Sequence, residues 1–157
     1  MAEKSFLEKF NKYEPTDTEI IRVLSRVYNY TVRLSKEQRL IECDVHFDDI
    51  VDKSLLYRIE NEIKAADSLN FMKILPKYHE SLFGSQYFEQ ILLEAERVGI
   101  VAKGFFSGCD WEISGEAITV TIPFQEGGVR LLENANTPKI IENIIFSEFG
   151  RKFTVKI

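Results

Sequence analysis

The chain has 157 residues, a length that suits one domain or two small ones. Its apolar content of 45% and aromatic content of 12% are typical of an ordered globular protein and exclude a disordered chain. The formal net charge of −5 argues against a strong phosphate-binding surface, because nonspecific affinity for nucleic acids comes from clustered lysine and arginine.

Neither export nor membrane insertion is indicated by the sequence. No apolar run approaches the length of a membrane span, and the first residues lack the apolar core of a signal peptide. The two cysteines, Cys43 and Cys109, match no zinc motif and no disulfide framework. We therefore expect a soluble cytoplasmic protein whose thiols are reduced.

The first half of the sequence predicts helical turns followed by a hairpin. A short amphipathic turn around Phe6 comes first, and Thr16 or Asp17 caps a second short helix. Alternating apolar residues then predict two antiparallel strands, Tyr28–Leu34 and Ile41–Phe47. Each strand is expected to turn its apolar face toward a core.

A helix and a closing strand are predicted to complete this first module. Asp49 or Asp52 caps a helix that runs to about Asp67, and Phe71–Leu75 forms the strand. Residues three and four apart give the helix an apolar stripe. The stripe consists of Leu55, Ile59, Ile63 and Ala66.

Pro76 marks the predicted boundary between two modules, because proline cannot donate a ladder hydrogen bond. Residues 1–76 are assigned to the first module, residues 77–84 to a linker and residues 85–157 to the second module. The fold class is α+β. Each module consists of an antiparallel hairpin and a closing strand packed on helices.

The second module adds a leading helix and a broken helix pair to the same order. Ser85 is a good N-cap for a helix that Gly99 ends in the left-handed conformation, and Val101–Phe106 fits a short second helix. A hairpin with a tight turn follows. Thr137 caps the last helix, and Phe153–Ile157 forms a closing strand.

Candidate catalytic groups are few, and each has a plainer structural interpretation that we favour. An acidic cluster could hold magnesium, but its members occupy a polar strand face and helix-cap positions; they are Asp44, Asp48, Asp49 and Asp52. His46 and His79 have no nucleophile or carboxylate at a recognisable spacing. Gly127–Gly128 lacks the lysine of a phosphate-binding loop. No catalytic, metal or cofactor residue is assigned.

The order helix, hairpin, helix pair, strand in the second half resembles a type II KH module. KH domains grip backbone phosphates with a Gly-x-x-Gly loop between the paired helices. The corresponding junction reads Asn134-Ala135-Asn136-Thr137 and lacks those glycines. The module is also similar to the small α+β domains that open the initiator DnaA and close the clamp-loader tau subunit.

Several short segments along the chain carry a further resemblance. They are Ile74-Leu75-Pro76-Lys77-Tyr78, Leu82-Phe83, Tyr87-Phe88, Gly104-Phe105-Phe106-Ser107-Gly108, Trp111-Glu112-Ile113, Gly115 and Glu148-Phe149-Gly150. These segments resemble the N-terminal region of PolC-type DNA polymerase III, the replicative α subunit of low-GC Gram-positive bacteria. The match covers most of the chain, from about Ser25 to Ile157.

This resemblance implies a noncatalytic interaction region that docks a replicative polymerase to another replisome protein. The partner would be the clamp-loader tau subunit or a helicase-side component. The polymerase and 3′–5′ exonuclease domains of the family would lie beyond Ile157. The sequence ends there inside an alternation of apolar residues, as expected for an excised piece. We expect no cofactor, no membrane and no small-molecule substrate for this region. The candidate docking residues are Phe83, Tyr87, Phe105, Phe106 and Trp111.

Two other functions remain open from the residues alone. A KH-like module that binds single-stranded nucleic acid predicts that basic residues converge beside exposed aromatics. The candidate contacts are Lys103, Arg130 and Lys139. A small metal-dependent hydrolase would use Asp44, Asp48 and Asp49.

Overall fold

The structure, a computed structural model, describes residues 6–123 and 125–157, except for the side chains of residues 125 and 126. The chain divides into two compact units, Met1–Tyr78 (unit 1) and His79–Ile157 (unit 2). Each unit contains one three-stranded sheet packed on helices. The predicted α+β fold of two small modules is confirmed.

Unit 1 has a mixed sheet in the order β1-β2-β3. Its elements are α1 (Phe6–Lys9), α2 (Thr18–Ser25), β1 (Val27–Ser35), β2 (Leu40–Phe47), α3 (Lys53–Ala66) and β3 (Phe71–Lys77). Strand β1 runs antiparallel to β2, and β3 runs parallel to β2. The central strand β2 carries the apolar alternation that the sequence predicts, and its buried residues are Ile41, Cys43, Val45 and Phe47.

The buried face predicted for β1 is wrong at both of its ends. Tyr28 is 64% exposed and Leu34 is 56% exposed. β1 is an edge strand, and a register shift between Val27 and Asn29 interrupts its alternation. The displaced Tyr28 ring lies 5.8 Å from the ring of His46, measured between centroids.

Two details of α3 and β3 also differ from the expectation. Strand β3 continues through Pro76, which pairs with Val45, because a strand at a sheet edge tolerates a residue that lacks an N–H. In α3 the buried stripe contains Leu56 in place of Leu55, together with Ile59 and Ile63.

Polar contacts join the N-terminal segment of unit 1 to α3. Asp17 is the N-cap of α2, and its carboxylate accepts a hydrogen bond of 2.8 Å from the backbone N–H of Glu19. The other oxygen of Asp17 accepts from Arg58 at 2.6 Å. Arg58 also bridges to Glu62 at 2.9 Å, and the Tyr13 hydroxyl donates to Glu62 at 3.1 Å.

Asp17→Ala is expected to lower the urea midpoint of unit 1, because it removes both a helix cap and an ion pair. The matched control is Asp52→Ala, since Asp52 is the N-cap of α3 but its side chain makes no capping hydrogen bond. The contacts to Arg58 and to the Glu19 N–H lower the pKa of Asp17. Its stabilisation is therefore present at neutral pH and is lost as pH falls through that lowered pKa.

The measurement is urea denaturation monitored by circular dichroism, first at neutral pH and then in acid. The difference between the Asp17→Ala variant and the wild type should shrink in acid. Equal losses for Asp17→Ala and Asp52→Ala would contradict the capping argument.

Unit 2 repeats this plan with a second mixed sheet in the order β4-β5-β6. Its elements are α4 (Ser85–Val98), β4 (Asp110–Ser114), β5 (Ala117–Thr121), α5 (Gln125–Asn134), α6 (Thr137–Phe149), β6 (Thr154–Lys156) and two 3₁₀ turns, Glu80–Leu82 and Ile100–Ala102. Strands β4 and β5 are antiparallel, and β6 is parallel to β5. The order helix, hairpin, helix pair, strand is as predicted, while the resemblance to KH modules stays a prediction.

The helix ends of unit 2 correct several local predictions. Gly84, not Ser85, is the N-cap of α4, and Asn136, not Thr137, is the N-cap of α6. Gly99 ends α4 in an extended conformation instead of the left-handed one. In contrast, Gly150 closes α6 with φ of 68°, in the left-handed region.

The short helix predicted at Val101–Phe106 is wrong beyond its first two residues. The 3₁₀ turn Ile100–Ala102 ends there, and Gly104 has φ of 87°, in the left-handed region that favours glycine. Gly108 has φ of 74°. Residues 103–109 therefore form a glycine-containing loop that leads into β4.

The predicted linker, residues 77–84, is divided between the two units. Lys77 is the last residue of β3, whereas Phe83 packs inside unit 2. The ring centroid of Phe83 lies 5.2 Å from that of Phe149 and 4.9 Å from that of Phe153. The side chain of Phe83 thus contributes to a core.

Candidate functional site

The five aromatic residues predicted to meet a partner lie mostly in the interior of unit 2. Phe83, Tyr87 and Phe106 are buried, while Phe105 and Trp111 are half-buried. Burial gives these rings a role in packing and leaves Trp111 and Phe105 with the larger accessible surfaces. Their contact with a partner stays a prediction.

Trp111 joins β4 to the start of α4. Its ring centroid lies 5.4 Å from that of the fully buried Phe88. The indole N–H donates a hydrogen bond of 3.1 Å to the hydroxyl of Ser85. Trp111 is held by an apolar contact and a polar contact, so the exposed part of its ring has a fixed position.

That exposed part of Trp111 borders a groove of about 400 Å³ between α4 and the loop 103–109. We call this the α4 groove. The α4 side is formed by residues at positions i, i+3, i+4 and i+7, which share one helix face. They are Glu89, Leu92, Leu93 and Glu96. The opposite side is formed by Gly104, Phe106, Ser107, Gly108, Cys109 and Trp111.

The α4 groove combines apolar and acidic groups. Leu93 is 43% exposed, whereas the adjacent Leu92 is buried. Glu89 and Glu96 lie one turn before and about one turn after Leu93. The groove therefore presents apolar side chains with a carboxylate toward each end.

The thiol of Cys109 lies close to several carboxylates in this groove. Burial raises the pKa of its thiol, and the carboxylates of Asp110, Glu96 and Glu89 raise it further. Negative charge from three side chains thus acts at a single point in the groove. Cys43 in unit 1 is fully buried, and burial raises its pKa to about 12.

A second depression, of about 300 Å³, lies beside α6 and has the opposite character. We call it the α6 cleft. It is lined by Lys139, Glu142, Asn143, Phe146, Lys152 and Phe153. The Lys152 ammonium lies 5.9 Å from the centroid of the Phe146 ring, and the Arg151 guanidinium lies 4.7 Å from that of Phe153. Cations and aromatic rings are therefore neighbours here.

Only one of the three predicted nucleic-acid contacts lies in the α6 cleft. Lys139 lines it, whereas Lys103 and Arg130 are exposed but line neither the cleft nor the α4 groove. The structure adds Lys152 and Phe146, which the sequence interpretation missed.

Three of the four acidic residues considered for a metal site take part in ion pairs of unit 1, and the fourth, Asp52, is the N-cap of α3. Arg33 holds Asp44 through two hydrogen bonds of 2.9 and 3.0 Å, and this contact lowers the pKa of Asp44. Arg26 contacts Asp48 at 2.9 Å and Asp49 at 3.4 Å. Across residues 6–123 and 125–157, no group of three His, Cys, Asp or Glu residues has metal-binding geometry.

The histidines and the paired glycines have local roles. The ring nitrogen Nδ1 of His79 accepts from the Ser81 N–H at 3.2 Å and caps a 3₁₀ turn. His46 lies on β2 beside Tyr28. Gly127–Gly128 lies within α5, where Gly127 has φ of 81°.

Comparison with protein-family models, with curated proteins and with solved structures finds no significant match for this chain. Among the helices that the structure describes, none has the length and apolar composition needed to cross a membrane.

The α4 groove could have been found from one feature of the sequence. Helical spacing predicts one apolar stripe on α4 that leaves Leu93 outside it; the stripe consists of Tyr87, Phe88, Ile91, Leu92, Ala95 and Val98. A leucine outside the stripe indicates a contact surface where it adjoins further apolar surface, as Leu93 does in the groove that Trp111 also lines. Phe146 similarly falls outside the buried positions Ile141, Ile144 and Ile145 of α6.

Proposed function

We propose that this chain is a noncatalytic interaction region of a PolC-type DNA polymerase III and docks the polymerase to another replisome protein. The resemblance of its segments to that family motivates the polymerase assignment. The α4 groove supports docking, because an exposed leucine beside a fixed tryptophan is the kind of surface that partner proteins cover. Such a protein would act in the cytoplasm.

The two free cysteines agree with a reducing compartment, since Cys43 is buried as a small apolar side chain and Cys109 is half-buried. The wider activities implied by the resemblance, DNA synthesis and 3′–5′ exonuclease, belong in this proposal to other domains of the parent polymerase.

The test is native mass spectrometry of the 157-residue chain with purified replisome proteins, including the clamp-loader tau subunit and helicase-side components. We expect a stoichiometric complex with one of them. Failure of every replisome protein to bind would remove the docking proposal.

A second candidate function is binding of single-stranded nucleic acid, and the α6 cleft is the observation that favours it. Lys139, Lys152 and the exposed Phe146 would contact phosphates and a stacked base. Against this stands the glutamate in the same cleft, Glu142, and the net charge of −5.

Fluorescence anisotropy with a labelled oligonucleotide distinguishes the two functions. Nucleic-acid binding predicts affinity that falls steeply with salt and is lost in Lys139→Glu/Lys152→Glu. The matched control, Lys36→Glu/Lys156→Glu, makes the same change in net charge at two exposed lysines outside the cleft. Tight oligonucleotide binding together with no protein complex would select this second function.

A further inference from the structure

The α4 groove leaves apolar surface uncovered between two walls of different construction. One wall is the regular helix α4, and the other is the loop 103–109 followed by Trp111. Leu92 and Phe106 are buried beneath, while Leu93 and the edge of Trp111 remain accessible. A ligand that covers them would gain hydrophobic stabilisation without displacing any element of the unit.

The charges around the groove restrict what can cover it. Glu89 and Glu96 lie on the helix wall, and Asp110 follows directly after the loop wall. All three carboxylates act on the thiol of Cys109. An acidic or purely apolar ligand would bring like charge or no charge to these groups, whereas lysine and arginine would complement them.

The length of the groove fits a helical ligand. From Glu89 to Glu96 the helix wall rises by roughly 10 Å at 1.5 Å per residue. About two turns of a second helix have the same length. Amphipathic helices bind such grooves through apolar residues at positions i, i+3, i+4 and i+7.

We infer that the α4 groove binds a basic amphipathic helix of the partner protein, with apolar residues against Leu93 and Trp111 and lysine or arginine near Glu89 and Glu96. This inference rests on the proposed docking function, for which it specifies the chemistry of the partner segment.

Two synthetic peptides of equal length test whether the groove binds a basic amphipathic helix. The first is an amphipathic helix of leucine and lysine, and the second has glutamate in place of every lysine. Binding is followed by the fluorescence of Trp111, the single tryptophan of the chain. We expect the lysine peptide to bind and the glutamate peptide to fail. Leu93→Asp should weaken binding at least about tenfold.

Charge-reversal variants distinguish binding at the groove from a general attraction of the lysine peptide to an acidic protein. Glu89→Lys/Glu96→Lys should abolish the preference for lysine and favour the glutamate peptide. The matched control Glu116→Lys/Glu133→Lys changes the net charge equally at exposed positions outside the groove. Leu131→Asp on α5 is the matched control for Leu93→Asp, because Leu131 is similarly exposed. Circular dichroism verifies that each variant is folded. If Leu93→Asp does not fold, Leu93→Ala replaces it in the binding measurement.

Equal effects of the groove variants and their controls would overturn the inference, as would equal binding of the two peptides. The same variants are then used with the replisome protein identified by mass spectrometry. If the complex with the replisome protein still forms in Leu93→Asp, the α4 groove is not the binding site, although the docking function stands. Peptide binding at the groove without any replisome complex would refute the docking function instead.

Discussion

Phe88→Ala is expected to remove about 3–5 kcal/mol from the free energy of unfolding of unit 2. Phe88 is fully buried in α4 and lies among the largest enclosed side chains of the chain. Its ring contacts Trp111, so the truncation leaves a cavity beneath the α4 groove. A loss of this size is a large fraction of the stability of a small unit.

Urea denaturation followed by Trp111 fluorescence measures this loss, because the single tryptophan reports on unit 2 alone. The matched control is Phe146→Ala, which truncates the same residue type at a position that is 51% exposed. We expect the control to change the free energy of unfolding by less than about 1 kcal/mol. Similar losses for both variants would show that Phe88 does not anchor the core as described.

Tyr87→Phe is expected to cost unit 2 about 1.5–3 kcal/mol, the usual value of a hydrogen bond to a charged group. The Tyr87 hydroxyl donates a bond of 2.5 Å to the carboxylate of Glu148, and both side chains are buried. The bond joins α4 to α6. The substitution removes only one oxygen, so the carboxylate loses a donor while the aromatic packing on Phe149 remains.

Urea denaturation monitored by circular dichroism, which detects the unfolding of both units, measures the effect, and Tyr28→Phe provides the control because the Tyr28 side chain is largely exposed. A further variant, Glu148→Gln, keeps the shape of the acceptor and removes its charge. If Tyr87→Phe proves as mild as Tyr28→Phe, the bond between α4 and α6 contributes little to the unit.

Periodicity in the sequence was sufficient to predict the elements that carry regular patterns. The alternation in β2 lies where the pattern places it, and the stripe of α4 is buried from Tyr87 to Ala95, whereas Val98 at its end is 49% exposed. The pattern fails at β1, where a register shift between Val27 and Asn29 interrupts the alternation and leaves Tyr28 exposed. An irregularity of this kind depends on pairing with the neighbouring strand, which a short-range pattern does not contain.

Helix ends and the functional surface were less predictable for a related reason. Ser85 has the right chemistry for an N-cap, yet its hydroxyl accepts a hydrogen bond from Trp111, which is distant in sequence. The α4 groove likewise depends on the loop 103–109, whose path is set by the positive φ of Gly104 and Gly108. Tertiary contacts of this kind override local preferences.

The parallel closing strands have a consequence for synthesis on the ribosome. Each hairpin can form as soon as its two strands have emerged, because its contacts are local. The central strands β2 and β5 each gain their second neighbour only when β3 or β6 emerges, after the intervening helices. Until then each nascent sheet has an unpaired edge on its most apolar strand, the state in which a chaperone or an early partner would find it.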